Sequence, residues 1–298
     1  MKICQEYESL QFEILIWLNS LKYFITTFNF ILRTVCISLV QWIGYPTETQ
    51  QLDETTKLTF YLQFFNTVFL LLLVNADLTE QFFHLGLVDG ISGDFDQTWF
   101  KVTGNTMVGT MIFILLWPII ECIVFFLLRW LPRWLDHGFS TDPYKTKVTS
   151  IQAYVDNYSG PLYLMHFKYA HILNIVFVTF TFGFGIPILY PIAAIALLVL
   201  FLVEKSMLYY AYRLPPMYDE RLSQSVINMM SYAPLFLLSF GYWMASNKQM
   251  LSNDNLAPKE RMTDAEPTQH TIEGVFLGDF LAAPGWPLLI LLIVLILN

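Results

Sequence analysis

Long apolar runs separated by polar, turn-forming tracts recur along the whole chain. Seven of them read as membrane-spanning helices, at residues 10–43, 58–76, 104–130, 168–189, 191–212, 223–245 and a short 284–297. The first is longer than a bilayer needs, so it is tilted or extends past one surface. The tract 45–57, YPTETQQLDETTK, is expected to be a loop. Residues 131–167 form a connection with some helix in it, and 247–279 form a polar, acidic loop. Spans four and five are nearly continuous, so they should make a hairpin turning near Tyr190–Pro191.

Polar residues inside the spans fall on faces. In the first, Asn19, Lys22, Thr26, Asn29 and Arg33 recur at spacings of three and four, one stripe about 80° wide at helical periodicity. In the second, Thr59, Gln63, Asn66 and Thr67 share a face opposite a run of leucines. Buried amides of this kind usually glue helices together at about 1 kcal/mol. The third, VTGNTMVGTMIFILLWPIIECIVFFLLRWLPRW, ends in an aromatic and basic belt. Thr106, Thr110, Trp117 and Glu121 fall within about 60° of one another on it. Pro118 removes a backbone hydrogen bond one turn before Glu121, so a kink or hinge is expected.

An acid at mid-span costs roughly 2.5–3.5 kcal/mol, so Glu121 marks either a pathway or an ion pair with a neighbouring helix. Arg33 is a candidate partner. Spans one and three run the same way, and both charges lie at similar depth toward the same surface.

Composition settles the class. The chain has 298 residues, 55% hydrophobic and only 13% charged, against about 25% charged in soluble domains. It is an integral, multi-pass, all-α membrane protein. A net charge of −8 argues against a nucleic-acid partner. Cys4, Cys36 and Cys122 show no ligand spacing, so no disulfide framework or metal site is expected, and no cofactor. The first nine residues are polar and the apolar run after them is too long for a signal peptide. Basic residues gather after spans three and five, at Arg129, Arg133, Lys145, Lys147, Lys205, Arg213 and Arg221. The loop after span two holds only Lys101 among several acids. The connection 131–167 is therefore expected in the cytoplasm, the N-terminus and the 247–279 loop outside.

The run YAHILNIVFVTFTFGFGIPILYPIAAIALLVLFLVEKSMLYYAYRLPPMYDER, ending at Arg221, resembles the signature of the OSCA/CSC family of calcium-permeable, stress-gated cation channels. The shared features are a Y/F-x₃-P-x-L-x-P hairpin and a following span that ends in tyrosines and arginine. Two other pieces agree in order: QFFNT at Gln63–Thr67, and the glycine-bearing stretch from Gly109 to Glu121.

The resemblance implies a fold shared with anoctamins and TMC proteins, usually dimeric, with a pore in each subunit. This chain would correspond to the C-terminal seven spans, without the family's first helices and large cytosolic domain. It implies a pore lined by spans one to five, with the third as the gating helix. The pore and gating candidates are then Lys22, Asn29, Arg33, Gln63, Asn66, Thr106, Gly109, Thr110, Trp117, Pro118, Glu121, Asn174 and Gly185. Anoctamins bind calcium between carboxylates of three adjacent spans. Here span four has none, and spans three and five offer only Glu121 and Glu204, which argues against that switch.

The expected function is a mechanically or osmotically gated channel subunit. Its partners are membrane lipids, permeant monovalent and divalent cations, and a second copy of the chain. The plasma membrane is favoured over an internal one. A phospholipid scramblase on the same fold is the alternative. An intramembrane enzyme using His171 or Glu121 is more remote, since GxSxG and HExxH spacings are lacking.

Overall fold

The computed structural model describes residues 31, 34–35, 37–72, 95, 99–136, 138, 146–213, 219–246 and 285–297. Among these, every regular element is a helix. Lys22, Asn29 and Arg33, most of span one, and the 247–279 loop lie outside the described residues.

Helix α1, Glu48–Phe64, continues into a π-helical turn at Phe65–Leu70. It begins inside the tract expected to be a loop. That expectation fails for local reasons: Thr47 accepts a hydrogen bond from the Gln50 amide and caps the helix. Lys57 then pairs with Asp53 and Glu54 at 2.8 and 3.1 Å, one turn back. Those bonds, to Asp53 first, hold the Lys57 ammonium above its ordinary range. Thr55 and Thr56 turn their hydroxyls onto the Gln51 and Leu52 carbonyls. Polar composition read as a loop is here a half-buried helix, with Thr55 and Thr56 fully inside.

A π-helical turn at Phe100–Gly104 leads into α2, Asn105–Asp136. This helix runs unbroken through Pro118 and Pro132. Next come α3, Ile151–Tyr158; α4, Met165–Phe182; and α5, Leu189–Tyr210. The turn between α4 and α5 occupies residues 183–188, ahead of its expected place. Pro191 sits instead in the first turn of α5, where a missing N–H leaves no bond unmade.

The expected sixth span is two helices, α6 at Arg221–Met230 and α7 at Ala233–Ser246. The break at Ser231–Tyr232 precedes Pro234, again in a first helical turn. Helix α8, Trp286–Leu297, packs on α7.

Among the described residues two helical stretches are long and apolar enough to cross a bilayer, Phe100–Asp136 with 37 residues and Leu189–Tyr210 with 22. Of the seven expected spans, these are the third and fifth. They pack on each other along much of their length and leave broad apolar surfaces exposed, Ile123, Phe126, Leu128, Leu198 and Phe201 among them. Helix α4 is the hub, touching α1, α5, α6 and α7. Around it Phe60, Phe64, Phe177 and Phe236 form an aromatic cluster, with Phe60 and Phe177 centroids 4.8 Å apart.

The C-terminal ends of α2 and α5 meet at one end of the molecule. Arg129 and Arg133 of α2 donate to the Asp156, Asn157, Tyr158 and Ser159 carbonyls at the end of α3. Arg213, just after α5, reaches Asp156 Oδ1 at 3.4 Å and the Ser159 hydroxyl. Lys101 lies at the opposite end of α2. A membrane-impermeant thiol reagent should therefore label Lys147→Cys only from the cytoplasmic side and Lys101→Cys only from outside. Both labels on one side would overturn this orientation.

Candidate functional site

Three charged side chains from three helices converge near the basic end. Lys168 Nζ of α4 lies 2.7 Å from Glu121 Oε2 of α2 and 2.7 Å from Glu204 Oε1 of α5. Each is largely buried, with 12–17% of the side chain exposed. The Tyr212 hydroxyl donates to the second Glu204 oxygen at 3.4 Å. Its ring meets that of Tyr163 edge-on at 5.2 Å. Beside the triad, the Cys122 thiol faces Met207 Sδ at 3.4 Å, another contact between α2 and α5.

The placement of the two carboxylates follows from helix geometry. Glu121 precedes Arg129 by eight residues and Glu204 precedes Arg213 by nine; Lys168 follows Gly160 by eight. At 1.5 Å per residue the two carboxylates lie about 12 Å before the arginines of their own chains, and Lys168, in the first turn of α4, meets them there. Two carboxylates share one ammonium, so the cluster carries a formal charge of −1.

Of the readings for Glu121, an ion pair with a neighbouring helix is therefore met, but by Lys168. Arg33, the expected partner, lies outside the described residues. Lys168 was legible only as the first residue of a span, where a lysine ordinarily snorkels outward. The missed signal is that Glu121 and Glu204 stand about equally far before Arg129 and Arg213, so the two acids come level and call for a shared cation.

The remaining candidates lie elsewhere. Thr106 and Thr110 are buried and bond back to the Val102 and Thr106 carbonyls, both at 2.9 Å. Trp117 is half-buried, its ring 6.0 Å from Phe113. Gly109 is half-buried and Pro118 buried, one turn before the triad.

Gln63 is half-buried near the end of α1, Asn66 is buried in the π-helical turn after it, and Asn174 lies on α4, which packs on α1. Asn174 is buried one turn before Phe177, which meets Phe60 and Phe64 of α1. Its Oδ1 has no hydrogen-bond partner among the described residues. Gly185 sits at the far end, where an added Cβ would fall 2.6 Å from Met244 Sδ and 3.3 Å from Phe100 Cε1. It is a close-packing glycine between the α4–α5 turn and α7.

Among the described residues no three His, Cys, Asp or Glu side chains gather where one metal ion could reach them. In the triad an ammonium stands between the two carboxylates. Comparison with family models, characterised proteins and solved structures finds no match for this chain.

Proposed function

We propose that this chain is a subunit of a mechanically or osmotically gated cation channel of the OSCA/CSC type. The observation that supports it most is the triad Glu121–Lys168–Glu204 and its excess negative charge. An uncompensated carboxylate about 12 Å inside a helix bundle stabilises a passing cation and repels an anion. It also lies where two membrane-crossing helices and α4 meet, so a relative movement of any one changes the charge pattern. Pro118 stands one turn before Glu121 and lacks the backbone bond that would stiffen that turn. Tension that bends or straightens α2 there carries Glu121 toward or away from Lys168. Separation of the pair exposes both charges to water in the conducting state.

The chain in proteoliposomes should carry stretch-activated currents that favour sodium over chloride. Glu204→Gln leaves a neutral Glu121–Lys168 pair. It should lower the sodium-to-chloride permeability ratio by roughly threefold or more, since one fixed charge sets the local potential. Silence under stretch, with labelled phospholipid crossing the bilayer instead, would replace the channel by the scramblase. An unchanged permeability ratio in Glu204→Gln would remove the triad from the path.

A further inference from the structure

Helix α3 is short, sharply two-faced and uncovered. Ile151, Tyr154 and Val155 recur at spacings of three and four along one face; Gln152 and Asp156 lie on the other. The apolar side chains are open, Ile151 85% and Val155 51% exposed. Leu162, four residues past the helix, is 65% exposed as well. None of the eight residues of α3 is buried. A free helix of this length does not hold itself together in water.

What holds it is the end of α2. Arg133 donates to the Asn157 and Tyr158 carbonyls, at 3.3 and 2.8 Å, and Arg129 to those of Asp156 and Ser159. These are carbonyls that the last turn of a helix leaves unpaired, and cations there also oppose the helix dipole. The Arg133 guanidinium lies over the Tyr158 ring, 5.6 Å from its centroid. The Tyr158 hydroxyl donates to buried Asp136, the last residue of α2, at 2.9 Å. Desolvation first, then that carboxylate, push the Tyr158 phenol above its ordinary range. Asp136 also accepts from Thr146 Oγ1 and the Lys147 amide. Both flanks of α3 are thus tied to α2.

The level of that attachment identifies what covers the open face. Trp130 and Trp134, stacked at 5.2 Å, sit exposed on α2 beside the two arginines. Tryptophans next to arginines at the end of an apolar span mark the boundary between headgroups and acyl chains. An eight-residue helix is about 12 Å long, so its apolar face cannot lie far from that boundary.

We propose that α3 is an interfacial anchor. Its Ile151–Tyr154–Val155 face lies in the headgroup–acyl boundary of the bilayer that α2 crosses, and Arg129 and Arg133 transmit its position to α2. The occupant of the face is lipid. The inference rests on α2 crossing a membrane and not on what the protein conducts.

The test places an environment-sensitive fluorophore at Ile151→Cys, Val155→Cys and Gln152→Cys. The background carries Cys4→Ser, Cys36→Ser and Cys122→Ser, and the chain is held in phosphatidylcholine–phosphatidylserine vesicles. Lipids with a nitroxide high on the acyl chain should quench the 151 and 155 probes roughly twofold or more over the 152 probe, with aqueous iodide showing the opposite order. Equal iodide quenching at all three sites would place α3 in water and overturn the anchor. Protection of 151 and 155 from both quenchers would overturn it too, by showing protein as the cover. All three positions are exposed, so labelling does not disturb packing, and an unaltered melting curve checks this for each variant.

Discussion

Lys168→Met is expected to lower the unfolding midpoint in detergent micelles more than any other single change at the triad. The ammonium bonds a carboxylate on either side, at 2.7 Å each, and little water reaches the group. Removal leaves two carboxylates facing one another with nothing between them. Breaking a buried pair in this way typically costs about 3–5 kcal/mol, and the residual exposure of these side chains favours about 3. Formal charge goes from −1 to −2 in the single variant and returns to −1 when Glu204→Gln is added. The double variant should therefore be more stable than Lys168→Met alone, a coupling that a double-mutant cycle reads directly.

Calcium gives a second reading of the same geometry. In the wild type the ammonium occupies the space between the carboxylates, so micromolar calcium should leave transport unchanged. In Lys168→Met the bare oxygens form a weak, hard-ligand site, and millimolar calcium should raise the variant's midpoint only. A Lys168→Met chain as stable as wild type, or a double variant less stable than the single, would sink the account.

How far the sequence foretold this arrangement differs by element. The apolar periods placed α2 and α5 well, because eighteen-residue stretches with at most two charges leave few alternatives to a long helix. Glu121 stood out because a charge in such a run needs a reason. Its partner did not stand out. Lys168 lies in the first turn of its helix, and only the packing of α4 on α5, which itself packs on α2, brings it to the carboxylates.

Local chemistry explains the boundary errors. The tract 45–57 is polar throughout, yet a Thr47 cap and turn-spaced ion pairs carry it as helix. In the sixth apolar run hydrophobicity is continuous while the backbone is not, because Pro234 favours a new first turn over a helix interior. Hydropathy counts side chains, and the break is a backbone event. The clamp of α3 was illegible for a similar reason: Arg129 and Arg133 bind main-chain carbonyls, which carry no residue signature.

Gly160→Ala is expected to have the second-largest effect, although it lies outside the triad. Gly160 joins α3 to α4 and passes directly against the chain leaving α5. A Cβ there would collide with the Ala211 carbonyl, and the Arg213 amide lies close as well. Both obstacles are backbone, so no side chain can swing away to make room. The contact is fastened by the Arg213 amide, which donates to the Pro161 carbonyl at 3.1 Å. Overpacking at such a point costs about 1–3 kcal/mol, and the lack of a yielding neighbour favours the upper end.

The consequence reaches the site over a short length of chain on each side. Lys168 follows Gly160 by eight residues and Glu204 precedes Ala211 by seven, so this crossing sets the register between ammonium and carboxylate. A shift of about 1 Å at the crossing would stretch a 2.7 Å ion pair past ideal hydrogen-bond length. Gly160→Ala should therefore melt earlier. It should also speed hydrogen exchange at the Arg213 amide by roughly tenfold, about 1.4 kcal/mol of lost protection. It should move the sodium-to-chloride permeability ratio in the same direction as Glu204→Gln. A variant with wild-type melting and a protected Arg213 amide would mean that the two chains do not approach this closely. The register of Lys168 against Glu204 would then have to come from the packing of α4 on α5 alone.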